Sequence, residues 1–365
     1  MRILHTEGSN GWGGQEIRIL KEAEGMRERG HEVIFAVVGG GKLAEKAREK
    51  GFIVYEMPFK KILWFRTIPE IMSIIGKHKV DIVNTHSSSD AWLAGFAAKF
   101  KRRKIIRTRH LSTPIRKGFN SILLYRFLAD FVVTTSSGII PMIVSQAKIS
   151  KSRCACIATG VDPLALQVPL REVESFRSQW GITKDDFLIG TVCVVRSWKG
   201  IKDFIEAANL LRSTPNLKWI IVGGGYLDEY KPIVEELKLT SQVIFTGHLP
   251  SPQIAIRSLD TFALLSTAHE GISQASLQAA YLERALITTS VGGLPEVCID
   301  GVTGYVVPPF SPKEVADCGL KLKNNPSLRE ERGRKAKMLV ETKFTMTHML
   351  DAMEEIYSLL SKRRK

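Results

Sequence analysis

Short apolar runs alternate with longer amphipathic stretches along the chain. The runs at residues 2–6, 31–38, 52–56, 82–85, 104–108 and 131–135 span only a few residues and are rich in Val and Ile. Most lack an alternating polar face, which is the pattern of strands buried on both sides. The stretches between them have the length and period of helices; one begins after Gly13-Gly14 and stops at Gly30. Strand–helix–strand alternation predicts a parallel sheet covered on both faces. The alternation restarts at 188–195, 217–222, 243–246, 261–265 and 286–289, after a polar stretch at 168–184. The expected fold class is α/β, with two facing Rossmann-like domains, parallel sheets and a cleft between them.

Length supports two domains, because 365 residues exceed what one core usually serves. The expected division is 1–165 and 166–345. Cys154, Cys156, Cys193, Cys298 and Cys318 show no zinc-ligand spacing and are expected to be buried free thiols in a reducing compartment. The N-terminus reads as a first strand rather than a secretory leader, and no apolar run reaches transmembrane length.

The densest chemistry lies between Thr267 and Pro309. The run at 261–265 ends just before Glu270-Gly271. Ser273 is placed to cap a helix over 274–283, and Gly292-Gly293-Leu294-Pro295-Glu296 follows the next strand. An acid and a glycine thus stand at the carboxyl end of a strand, with Ile272, Ser273 and Gln274 opening a helix. Free backbone N–H groups and the helix dipole make that place suited to anionic ligands.

This stretch resembles the nucleotide-sugar site of the family-4 retaining glycosyltransferases, which have the two-domain GT-B fold. Glu270, Gly271 and the Gly-Gly-x-Pro-Glu loop match the family pattern. The family's second acid, eight residues after the first, is Gln278 here and brings no charge. The resemblance implies that Glu270 contacts the donor sugar and that position 278 faces the ribose. It also implies that Arg196 and Lys199, in Val-Val-Arg-Ser-Trp-Lys-Gly, bind the diphosphate, and that Gly13 and Gly14 let the backbone approach the donor. Gly223, in a run of three glycines after a strand, is expected to do the same for the nucleotide, although alone it signals only a turn. His86 and His110 follow predicted strands. The run 107–114 resembles a family segment whose histidine, here His110, reaches the sugar near its anomeric carbon; His86 is its weaker companion. The family architecture also implies that the last helix, within 346–365, returns to the first domain.

The implied activity is retaining, metal-independent transfer of a sugar from a nucleoside-diphosphate sugar to a glycan or lipid-linked glycan, as in lipopolysaccharide or cell-surface polysaccharide assembly. No cofactor is expected beyond the donor substrate. Two alternatives remain at this level: a non-catalytic GT-B protein that binds nucleotide or glycan, and a nucleotide-sugar epimerase. The net charge of +15 is concentrated, since residues 42–130 carry 19 Lys and Arg against 7 Asp and Glu. Phe59, Trp64, Phe65, Phe100 and Phe119 are interleaved with them. No nucleic-acid-binding motif accompanies the charge, so the expected partner is an anionic membrane surface, with the protein peripheral on the cytoplasmic face.

Overall fold

The structure, a computed structural model, describes residues 1–110 and 113–362. Leu111 and Ser112 of the 107–114 run, and the last three residues of the 346–365 helix region, lie outside the described residues. The chain divides into two compact units. One contains Met1–Thr159 together with the chain from Thr347, and the other contains Gly160–Met346.

Unit 1 is built on seven strands: β1 (Arg2–Glu7), β2 (Glu32–Val38), β3 (Ile53–Met57), β4 (Ile82–Thr85), β5 (Lys104–Arg109), β6 (Phe131–Thr134) and β7 (Cys154–Cys156). They are parallel, in the order β3-β2-β1-β4-β5-β6-β7. β4 is buried at every position, which explains a run without alternation. The helix Met346–Lys362 belongs to this unit from Thr347 onward. Its Tyr357 hydroxyl donates to Glu22 at 2.7 Å and accepts from Asn84 at 3.0 Å. Arg29 holds Asp351 and Glu354 at 2.6 and 2.7 Å. Gly25 lets the helix in, because a Cβ there would stand 2.3 Å from Leu350 Cδ1.

Unit 2 has six parallel strands: β8 (Phe187–Val192), β9 (Leu217–Val222), β10 (Val243–Gly247), β11 (Thr261–Leu264), β12 (Ala285–Thr289) and β13 (Gly304–Val307). Their order is β10-β9-β8-β11-β12-β13. Trp219 and Phe204 meet edge to face at 4.9 Å in its core. Where the chain enters and leaves this unit, the two segments pair: Val161 N–H donates to Phe344, and Met346 N–H donates back to Val161. Gly160 is required there, since a Cβ would come within 2.5 Å of the Met346 backbone.

Three expectations need correction. β8 stops at Val192 rather than running to Val195, because the glycine-rich loop packs against it: Gly223 and Gly225, both at positive φ, press on the carbonyls of Cys193 and Val195. Of the five thiols only Cys298 is fully buried, and the others are half-buried. Phe59 is not a surface aromatic but sits in the core of unit 1 with Met57 and Ile68.

Candidate active site

In each unit the strand order reverses direction once, between β1 and β4 and between β8 and β11. Loops at the carboxyl ends of strands splay apart at such a point and leave room for a ligand. Most of the residues singled out from the sequence fall on these loops.

In unit 2 three loops are locked together by backbone contact. Lys199 lies in the loop after β8 and Glu270 in the loop after β11, and the two side chains form an ion pair, both largely buried. Ser266 donates a hydrogen bond to the same carboxylate oxygen at 2.6 Å, and Thr289 of β12 in turn donates to the Ser266 carbonyl at 2.5 Å. Gly200, at φ +67°, lies against the end of β11, where a Cβ would stand 2.0 Å from the Leu265 carbonyl oxygen. Gly292, at φ +59°, backs the acid itself: a Cβ there would be 1.9 Å from the Glu270 carbonyl oxygen. The Gly-Gly-x-Pro-Glu loop is thus the rear wall of the Glu-Gly loop, with Gly293 N–H donating to Glu270 at 3.3 Å.

Arg196 is half-buried, and its guanidinium stacks over the Tyr226 ring at 4.8 Å. That contact fixes the fork without using its hydrogen-bond donors. Ser273 caps the helix Gln274–Tyr281, its side chain accepting from Ser276 N–H at 3.3 Å. Gly271 and Ile272 are buried, Gln274 reaches the Gly160 carbonyl at 3.5 Å, and Gln278 is half-buried one turn along. Cys193 borders the pair, and burial pushes its thiol up to about 11, so it stays protonated and unreactive.

In unit 1 a cavity of about 420 Å³ opens over the β1/β4 switch, lined among others by Ser9, Gln15, His86, Arg107, Arg109 and His110. Gly13 caps the helix Gly14–Glu28 and donates to Glu16 at 2.9 Å; the cavity wall there is made by Gln15 and Glu16 rather than by the two glycines. His5, which the sequence analysis passed over, joins His86 and His110 in a hydrogen-bonded row.

Two buried carboxyls of unit 1, Glu7 and Asp90, have raised proton affinities. Burial, reinforced by Asp90, raises Glu7 to about 8. Burial also raises Asp90, against the pull of Arg107. The unfolded chain releases the Glu7 proton near the ordinary carboxylate value and the folded chain only near 8. The associated stability is therefore complete below the ordinary value and is lost as pH rises to 8. Glu7→Gln is expected to flatten the fall in melting temperature between pH 5 and 8, gaining roughly 1–3 kcal/mol at the upper end. An unchanged pH slope in thermal unfolding would show that Glu7 ionises normally.

Among the described residues, no group of three or more His, Cys, Asp or Glu is placed to hold a metal ion.

Comparison with known proteins bears on the fold. A model of the glycosyl transferases group 1 family matches residues 172–338, and one of glycosyltransferase family 4 matches residues 12–163. The glycosyltransferase of Rickettsia africae superposes with a TM-score of 0.90 at 21% identity over 98% of both chains. The chain has the GT-B fold, and each of its halves matches a glycosyltransferase family model. Another GT-B relative of known structure is HepE of Anabaena, solved with UDP and with UDP-glucose. In the UDP complex it superposes with a TM-score of 0.87 at 19% identity, over 98% of this chain and 100% of that one. By sequence, this GT-B chain is 25% identical to the capsular polysaccharide biosynthesis glycosyltransferase CapM of Staphylococcus aureus, over 93% of each.

Proposed function

We propose that the protein is a retaining glycosyltransferase that takes a sugar from a nucleoside-diphosphate donor held by unit 2. The buried Lys199–Glu270 pair at the β8/β11 switch carries this reading. In the reaction the bond between the anomeric carbon and the diphosphate oxygen breaks. The acceptor oxygen bonds to the same face of that carbon, and its proton passes to the departing phosphate. Arg196 and Lys199 stabilise the charge that grows on the diphosphate, which is greatest in the transition state. Glu270 orients the sugar, and His110 meets one of its hydroxyls. The solved UDP and UDP-glucose complexes of HepE favour a uridine donor. Proton NMR of the isolated product tests the stereochemistry. An anomeric configuration matching the donor is expected, and an inverted one contradicts the reading.

The glutamine at 278 has a cost and a remedy. A neutral amide can bond a ribose hydroxyl, but less strongly than a carboxylate. Gln278→Glu is expected to tighten UDP binding, by up to about 1 kcal/mol, since hydrogen bonds to charged groups exceed neutral ones by roughly that much. Calorimetry checks it, and abolished binding would mean that Gln278 makes a different contact.

The acceptor in this reading is lipid-linked and is met at an anionic membrane, in polysaccharide or lipopolysaccharide assembly. Unit 1 supports it with an apolar slot of about 560 Å³, lined by Trp64, Ile68, Trp92, Leu93, Phe96 and Phe100. Trp64, Phe65, Phe100 and Phe119 are exposed around it. Lys101, Arg102, Arg116 and Lys117 are also exposed, whereas Lys104 and Lys99 are tied to Asp130. Each cation near an anionic leaflet contributes about 1 kcal/mol, so these four suffice for reversible attachment. Among the described residues, no helix is long and apolar enough to cross a membrane. Liposome flotation should require anionic lipid, fall steeply with salt, and weaken when the four cations are neutralised. Equal flotation on neutral lipid would count against the membrane reading.

A further inference from the structure

β5 presents two arginines on one face. Side chains alternate along a strand, so Arg107 and Arg109 leave the same side of the sheet, about 7 Å apart at their bases. Thr108 between them turns the other way, to Asn84. Both arginines line the cavity of about 420 Å³ in unit 1.

Neither is matched by an acid. Arg107 is only 6% exposed and spends Nη1 on the Thr85 and Thr108 carbonyls, each at 3.2 Å. Its Nε is buried without a partner, and its Nη2 makes no hydrogen bond among the described residues. Arg109 is anchored on the Tyr125 hydroxyl and on the Thr113 carbonyl, 2.6 Å from Nη2, and its Nε also has no partner. The neighbouring carboxylates are committed elsewhere. Asp90 accepts from Thr6, from Ser87 and from the backbone N–H of His86. Glu7 accepts from Ser9 N–H and from Gln15. Glu16, the acid in the cavity wall, accepts from Gly13 N–H at 2.9 Å. Among the described residues, no carboxylate stands within ion-pair distance of either arginine.

Two like charges side by side repel, and burial strips them of water. Buried charges are therefore normally paired, and here the protein supplies no partner. The helix Ser88–Phe100 adds to the same field. Its cap, Ser87, and its first residue, Ser88, both lie in the cavity wall. The first-turn N–H groups have no acceptor within the helix, and the positive end of its dipole favours an anion there. His110 stands in that wall too. The proposed function sets His110 against the donor sugar, so a molecule filling the rest of the cavity lies beside the reacting carbon and is the acceptor.

We propose that Arg107 and Arg109 form an anion subsite for the acceptor, whose glycosylated sugar carries a phosphate or a carboxylate. This rests on the assignment of His110 made above. Both groups are oxoanions and both fit a guanidinium fork. The phosphate would be the one that links the sugar to its lipid, and the carboxylate that of an acidic glycan. A neutral terminal sugar leaves the two cations uncompensated and is a poor acceptor.

Arginine-labelled full-length protein tests the subsite. It is saturated with UDP, so that the diphosphate-binding residues of unit 2 are occupied. It is then titrated with inorganic phosphate, glucose 1-phosphate, glucuronate and glucose while the arginine Nε–H resonances are followed. Arg107→Gln and Arg109→Gln assign the two signals. Both should shift saturably with phosphate and with at least one anionic sugar, and glucose should leave them unmoved. A stronger response to glucose 1-phosphate identifies the linking phosphate, and a stronger response to glucuronate the acidic glycan. Arg109→Gln should weaken anion binding by about ten- to a hundredfold, the worth of a charged hydrogen bond, with UDP affinity unchanged. Shifts with glucose equal to those with the anions, or no shift of either signal with any anion, would overturn the proposal. Should Arg107→Gln not fold, Arg109→Gln and the wild-type titration decide. Anion binding without turnover of any nucleotide sugar tells against the transferase reading instead, and leaves the subsite standing.

Discussion

Lys199→Ala is expected to lower kcat/KM by about 10²–10³-fold, equivalent to ~2–4 kcal/mol of transition-state stabilisation. Nucleotide binding should weaken by much less. The lysine is held at the β8/β11 switch by Glu270, where little water screens it. In the proposed role it would meet the leaving diphosphate without reorganising, and its effect would grow as charge develops. Removing it also leaves Glu270 buried with only the Ser266 hydroxyl, so a modest loss of stability should accompany the kinetic one. Arg196→Ala should act in the same direction but less strongly, since that side chain is half-buried and stacked on Tyr226. Steady-state kinetics beside calorimetry with UDP separates the two effects. Unchanged turnover in both variants would remove the diphosphate assignment.

Gly292→Ala is expected to be as damaging by a different route. Its φ of +59° costs an alanine about 1–2 kcal/mol, and the added Cβ would meet the Glu270 carbonyl oxygen at 1.9 Å. The loop cannot shift without moving Glu270, so the total loss of folding stability should reach roughly 3 kcal/mol or more, with activity abolished. Gly301→Ala serves as the control. Its φ is +71° but nothing lies within 4 Å of the added atom, so only the conformational cost of ~1–2 kcal/mol should appear. Denaturant unfolding of both variants checks this. Equal losses would mean that the close approach to Glu270 does not constrain the site.

The strands were legible where burial on both faces produced a continuous apolar run, as in 33–37 and 219–222. β7 and β13 were not. The first is three half-buried residues, Cys154–Cys156, too few to show a period. The second, Gly304–Val307, is four residues that run straight into Pro308-Pro309; its glycine is forced by the Leu286 carbonyl oxygen, 2.0 Å from where a Cβ would be.

The candidate site was legible as a set of loop residues but not as an arrangement. Lys199 and Glu270 are 71 residues apart, and only the β8–β11 pairing brings them together. Ser266 was invisible because a serine at a strand end has no distinguishing pattern. His5 was missed for a topological reason: its neighbours in space are set by the order β1-β4-β5, whereas sequence order places β2 and β3 between. Phe59 shows the opposite error, since a basic and aromatic run does not reveal which ring turns inward.

The central claim is that this chain moves a sugar from a nucleoside diphosphate to an acceptor. The most direct measurement is mass spectrometry of the full-length protein incubated with a panel of UDP, GDP and ADP sugars, with and without a lipid-linked glycan. The account predicts, for one donor, acceptor-dependent release of nucleoside diphosphate matched by a glycan heavier by one sugar residue, and loss of both in Lys199→Ala. Donor converted to an epimer, or donor bound and returned intact across the whole panel, would contradict it.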